Sequence, residues 1–234
     1  MSQLESKVSF EIPIFGGIPV ASSVVVTWFV MFFLVMLSVL FVRNLKLIPT
    51  GSQVYVEAIV DGLHNFFEDI LGEEGRIYIP YLGTVTLYIG VTNLLGLIGV
   101  TPPTKDLNIT AGLAIMSIFL IEYSGLRARG FKGWLKSFAE PMALLLPINI
   151  LEIFIRPISL CMRLFGNVLG SFVIMELLRL VIPVIVPVPF SFYFDIFDGL
   201  IQTYVFVFLT SLFMKERMEI AHSKTDSYIH DKQK

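Results

Sequence analysis

The chain holds 234 residues, 55% of them hydrophobic and only 15% charged, with a formal net charge of −2. Its mean hydropathy of +0.78 excludes an ordinary soluble domain and a disordered chain, and points to a polytopic membrane protein. Cys161 is the single cysteine, which excludes an internal disulfide, the histidines are scattered without metal-ligand spacing, and no phosphate loop, nucleophile elbow or zinc motif calls for a cofactor or a catalytic centre.

Residues 1–19 carry Glu5, Lys7 and Glu11. They lack the basic flank of a cleavable signal peptide and read as an external N-terminus. The apolar run 20–42 is long enough to cross about 30 Å of hydrocarbon. Arg43 and Lys46 close it, and Pro49, Thr50 and Gly51 end it. Over 53–71, Val56, Ile59, Val60, Leu63, Phe66, Phe67 and Ile70 recur at helical spacing against Glu57, Asp61, Glu68 and Asp69. This pattern predicts an amphipathic helix at the interface or packed on the bundle. Residues 78–100 and 107–126 form two further spans, joined as a hairpin by the Thr101–Thr104 turn.

Arg127, Arg129, Lys132 and Lys136 make the following loop basic. By the positive-inside rule this loop is cytoplasmic, as are Arg43 and Lys46. The N-terminus then lies outside, and the mixed-charge tail 220–234 is a cytoplasmic end. From Ala143 the pattern changes. One helix over 143–182 would be about 60 Å long, roughly twice the hydrocarbon thickness. Splitting it at Pro157 leaves a first piece too short to span. Elements at 141–182 and 190–219, turned by Pro183, Pro187 and Pro189, are therefore expected as two long, steeply tilted helices. The predicted fold is an all-α polytopic membrane protein, with upright N-terminal spans followed by a tilted C-terminal hairpin.

Arg163 lies deep in this second half. A fixed charge at membrane depth costs about 2.5–3.5 kcal/mol or more, so it is normally set against a partner or a wet cavity. Glu152, Arg156, Ser159, Arg163 and Asn167 fall within about an 80° sector of an ideal helix. With Asn149 they make a polar stripe that does not face lipid. Glu176 lies off the stripe, near the opposite side. On the last element Asp195, Asp198 and Gln202 share a face. Plainer readings stand beside these: Glu152 with Arg156 as an intrahelical ion pair, Arg179 snorkelling to headgroups, Asp198 stabilising a helix start, and Asn93 as an interhelical hydrogen-bonder.

Pro102-Pro103-Thr104, Asp106-Leu107-Asn108-Ile109-Thr110, Arg156-Pro157-Ile158-Ser159-Leu160, Arg163-Leu164-Phe165-Gly166-Asn167 and Gln202-Thr203-Tyr204 together resemble the a subunit of the membrane sector of bacterial F-type ATP synthases. The resemblance implies an ion-conducting stator of the cell membrane, without catalytic chemistry or cofactor of its own. It implies partnership with a rotating c-subunit ring, b-type peripheral stalk subunits, the rest of the synthase and membrane lipid, and with no nucleic acid. Arg163 stands at the family's gating arginine. Ser159, Asn167, Asp195 and Gln202 match polar positions of an ion path, and Asn149, Glu152, Glu176 and Asp198 join them as candidates. Many members carry an acid or histidine nine positions after the arginine, where this chain has Phe172. Glu176, one turn further, is expected to take that acidic role. The coupling ion, H⁺ or Na⁺, is selected mainly by the ring's own carboxylate, which lies in another chain. The competing class is a stand-alone channel or secondary transporter in which Arg163 binds an anionic substrate. The absence of an internal repeat disfavours it. A structural scaffold is a third class, disfavoured by the clustered intramembrane charges.

Overall fold

A chain that crosses hydrocarbon must satisfy its own backbone N–H and C=O groups, which leaves helices as the economical solution for apolar runs of this length. The computed structural model describes residues 8–12, 18–43, 51–98, 100, 102–137, 146–181 and 187–231. Among these, five stretches are long and apolar enough to cross a membrane: Ser22–Val42, Glu73–Ile98, Leu107–Ala128, Leu146–Leu180 and Pro189–Met218.

The chain opens with an antiparallel pair, β1 (Val8–Ile12) and β2 (Ile18–Ala21), which the all-helical expectation did not contain. Helix α1 (Ser22–Val42) follows directly and buries only Val30. It lies at the periphery, as a uniformly apolar helix in lipid can. Helix α2 (Ser52–Leu71) packs on the bundle: Phe67 and Leu71 are buried, and the Phe66 ring lies 5.5 Å from that of Tyr204. A 3-10 turn, Glu73–Tyr78, leads into α3 (Ile79–Leu94), which tightens to 3-10 geometry at Leu95–Ile98.

Helix α4 (Leu107–Ser137) and α7 (Gly199–Asp231) form the closest pairing of the bundle. Ser117, Ser124, Thr210 and Ser211 are all buried there. Small side chains let helix backbones approach, and Ser124, Thr210 and Ser211 return their hydroxyls to carbonyls of their own helix. The basic segment after Leu126 is helical. It breaks at Gly130, whose φ of 67° belongs to the left-handed region that glycine adopts without penalty. The chain then turns back, and Trp134 Nε1 donates to Glu122 Oε2 at 2.9 Å. Glu122 also faces Arg217 of α7 at 3.3 Å.

Helix α5 (Leu146–Val181) runs 36 residues, unbroken through Pro157. At 1.5 Å per residue it is about 54 Å long, well beyond the hydrocarbon thickness. Residues 141–145 and 182, the ends of the predicted element, lie outside the described residues. After α6 (Pro187–Ser191) comes a π-helical segment, Phe192–Asp198, before α7. Helix α7 continues to Asp231, where the sequence suggested a tail from residue 220.

Candidate functional site

Two arginines sit two turns apart on α5, and their surroundings differ completely. Arg156 is buried. Its Nη2 lies 2.8 Å from Glu152 Oε2 and 3.0 Å from Glu216 Oε1, and its guanidinium carbon stands 4.7 Å from the centroid of the Phe213 ring. The i, i+4 pair with Glu152 foreseen from spacing is thus present. The pairing with Glu216 of α7 was not foreseen, because the periodicity of one helix does not set Glu216 opposite Arg156 across 60 residues.

Arg163 is half-buried. Among the described residues, it makes no hydrogen bond and no ion pair. Its neighbours on one side of the helix, Leu160 and Leu164, are buried, while Met162 and Gly166 on the other are exposed. It therefore stands at the edge between the α5–α7 contact and an open apolar face. Ser159 and Asn167 are exposed along the same edge. One turn beyond the arginine, Asn167 Nδ2 donates to Gln202 Oε1 at 2.6 Å.

Gln202 opens onto a cavity of about 140 Å³, which brings together Glu176 of α5, Asp195 and Asp198 of the π segment, and Lys105 of the α3–α4 turn. Asp198 Oδ2 accepts from Ser171 at 3.3 Å, and Asp195 Oδ2 accepts from Ser191 at 2.6 Å. Glu176 lies 3.8 Å from Arg179. Lys105 Nζ sits 3.1 Å from the centroid of Phe172, a cation–π geometry. Burial pushes its pKa below the usual lysine range, and nearby Glu176 draws it partly back up. Gly96 also lines the cavity, and a Cβ there would stand 2.5 Å from Asp195 Oδ1. A side chain at this position would push the Asp195 carboxylate aside.

Asn93 organises one wall. Its Nδ2 donates to the Gly199 carbonyl at 3.1 Å and to Thr203 Oγ1 at 3.3 Å, while its Oδ1 accepts from Thr104 at 3.1 Å. One buried amide thus ties the turn between α3 and α4 to the start of α7.

Of the residues singled out from sequence, Glu176, Asp195, Asp198 and Gln202 meet at the cavity, and Asn167 joins them through Gln202. Arg163 and Ser159 stand apart from its lining. Glu152 lies at the far end of α5 with Arg156, and Asn149, half-buried, lies one turn earlier. Sequence reasoning missed Lys105, Ser171, Ser191 and Glu216. For Lys105 a signal existed: it is a basic residue on the Pro102-Pro103 turn, where the positive-inside pattern leaves none expected. Among the described residues, no three His, Cys, Asp or Glu side chains converge as metal ligands.

Residues 24–215 match the family model described as ATP synthase A chain. A subunit from Moorella thermoacetica named ATP synthase subunit a is 38% identical, over 83% of this chain and 89% of its own. One from Bradyrhizobium sp., ATP synthase subunit a 2, is 36% identical over 91% and 94%. One from Propionigenium modestum, described as ATP synthase subunit a, sodium ion specific, is 35% identical over 85% and 74%. With this match over most of its length, and with five stretches long and apolar enough to cross a membrane among the described residues, the chain belongs to the ATP synthase A chain family, the ion-conducting stator subunits a of F-type synthases, whose catalysis lies in other subunits.

Proposed function

We propose that Arg163 is the fixed charge that separates two offset half-channels and faces a carboxylate on each c subunit of a rotating ring. The observation that carries this reading is the contrast along α5: Arg156 takes both nearby carboxylates, and Arg163, two turns on, has neither hydrogen bond nor ion pair among the described residues. A charge left open at membrane depth is costly unless a partner meets it. The exposed apolar face beside it, with Met162 and Gly166, suits a ring packed against α5.

A ring carboxylate in lipid must be neutralised by a bound ion, because an exposed charge there is too unfavourable. Within about 4–6 Å of an arginine the same group is stabilised as the anion. The ion therefore leaves to one half-channel before the site passes Arg163, and another is taken up from the second half-channel afterwards. An arginine keeps its charge in proteins, so it blocks direct leakage and does not carry the proton itself. One charge crossing 100 mV releases about 2.3 kcal/mol, so several must cross per turn to drive ATP synthesis.

The cavity with Glu176, Asp195, Asp198 and Gln202 is the half-channel on the side of the Pro103–Lys105 turn. Glu176 supplies there the acid that Phe172 does not. Asn167 continues the path toward the arginine, and Ser159 stands one turn beyond it. Asn149 and Glu152, at the other end of α5, border the second half-channel. The basic residues Arg43 and Arg127 set the N-terminus outside and the C-terminus in the cytoplasm. The c-ring and b-type stalk are the direct partners. Arg163→Ala is expected to abolish ion-driven ATP synthesis while the complex still assembles, as read by native gel and by synthesis in energised liposomes. Full coupled synthesis by the assembled variant would overturn the role.

A further inference from the structure

Three span ends meet at one corner of the bundle. Glu73 begins the span that contains α3, Ala128 ends the span within α4, and Met218 ends the span within α7. All three residues line a cavity of about 540 Å³. Successive spans alternate in direction, so these ends share one membrane face, and the cavity lies where hydrocarbon gives way to headgroups. Its lining suits that depth. Ile77 is 57% exposed and borders lipid, while Tyr78 beside it is buried; tyrosine is enriched at this level of a bilayer.

The charges of the lining come in both signs: Arg76 and Arg127 are positive, Glu73 and Glu74 negative. Arg76 is shared with Glu68 at 3.7 Å. Arg127 is exposed and makes neither hydrogen bond nor ion pair among the described residues. Glu122, deeper in α4, is taken by Arg217 and Trp134, a pairing that also fixes α4 against α7 behind the cavity. A lining whose charges cancel gives a free anion or an anionic lipid little net attraction. A headgroup that carries its own phosphate and ammonium matches both halves: a guanidinium meets phosphate oxygens in a planar fork, and a primary ammonium donates to carboxylates. We propose that this cavity seats the headgroup of a zwitterionic phospholipid of the phosphatidylethanolamine class, its phosphate on Arg127 and its ammonium on Glu73. Bound there, the lipid bridges the start of α3 to the ends of α4 and α7. The site is independent of the proposed half-channels, since the acidic cavity lies at the opposite end of α3.

The test uses the whole synthase in detergent with a phosphatidylethanolamine that carries a photoreactive group beside its glycerol. After irradiation the labelled peptides are mapped by mass spectrometry. Labelling is expected on the peptides that hold Ile77 or Met218. Unlabelled phosphatidylethanolamine should displace the probe at about fivefold lower concentration than phosphatidylglycerol or phosphatidylcholine, the upper end for an exposed ion pair. Phosphatidylcholine is the sharper control, because its nitrogen bears no N–H. Inorganic phosphate should displace nothing. Arg127→Gln should lower the labelling about fivefold, and Arg127→Lys should keep most of it. Glu73→Gln should erase the preference for phosphatidylethanolamine over phosphatidylcholine. Absent labelling at this corner overturns the proposal, as does unchanged labelling in Arg127→Gln or a preference that survives Glu73→Gln. Equal displacement by phosphatidylglycerol or by inorganic phosphate also overturns it, and marks a site for anions in general. The competition in the wild-type complex decides the matter even where a variant fails to assemble.

Discussion

The contact between α5 and α7 is built differently at its two ends. At the Arg156 end it is ionic: one guanidinium, stacked on Phe213, meets Glu152 and Glu216. At the Gln202 end it holds no ion pair between the two helices: the neutral amides of Asn167 and Gln202 pair, and Ser171 donates to the Asp198 carboxylate, with Asn93 bracing the start of α7 from behind. Arg163 lies between them. The difference teaches how a membrane protein keeps one charge open. The ionic end consumes the carboxylates within reach of the arginine stripe, and the neutral end fixes the helices without offering Arg163 an anion of its own subunit.

The neutral end should be the more fragile when broken. Asn93→Leu keeps the volume roughly but strips the Gly199 carbonyl, Thr203 and Thr104 of a shared partner. A buried polar group left without its partner costs about 1–3 kcal/mol in proteins generally, and less inside membranes, where other partners are found. A loss of about 1–2 kcal/mol is expected, seen as earlier thermal dissociation of the purified complex. Ion-driven synthesis should fall with it, since the π segment bearing Asp195 and Asp198 rests on that brace. Unchanged thermal behaviour would show that the neutral end is not held by Asn93.

Arg156→Met breaks the ionic end. Side-chain exposures of 42% for Glu152 and 47% for Glu216 let water solvate both carboxylates once the arginine is gone. The cost is therefore discounted to about 1 kcal/mol. The functional consequence is sharper: two carboxylates released near the stripe compete with the ring for Arg163. Synthesis should drop while the complex remains assembled, and Glu216→Gln added to Arg156→Met should recover part of it. Recovery would be absent if Arg156 served packing alone.

Much of this architecture was legible, and the boundary of legibility has a physical cause. Apolar runs bounded by Arg43, Pro102 and the basic residues after Leu126 carry enough length to announce helices. A polar stripe of period 3.6 places Glu152, Arg156 and Arg163 on one face, because that face depends on one helix alone. The same holds for Asn93, whose burial in an apolar run demands partners. Glu216 was illegible as a site residue, because its role comes from a register between elements far apart in sequence, 60 residues in the case of Arg156 with Glu216. No single-helix periodicity encodes that. The shared face of Asp195, Asp198 and Gln202 was legible too: all three line one cavity, although Phe192–Asp198 is π-helical. The break at Gly130, which brings Trp134 back onto Glu122, was not read from the sequence.

The smallest effect sharpens the comparison most. Glu216→Gln on its own keeps a hydrogen-bond acceptor 3.0 Å from Arg156 and removes one charge. Glu152 remains to balance the guanidinium at 2.8 Å. With Glu216 about half exposed, the change in stability should stay below about 0.5 kcal/mol, within a degree or two of thermal shift. Synthesis should be close to wild type at every ionic strength, since Arg156 is still neutralised locally and Arg163 gains no competitor. If instead Glu216→Gln alone depressed synthesis as strongly as Arg156→Met, the carboxylate would be acting on the ion path directly, and the ionic end would have to be read as part of the second half-channel and not as its clamp.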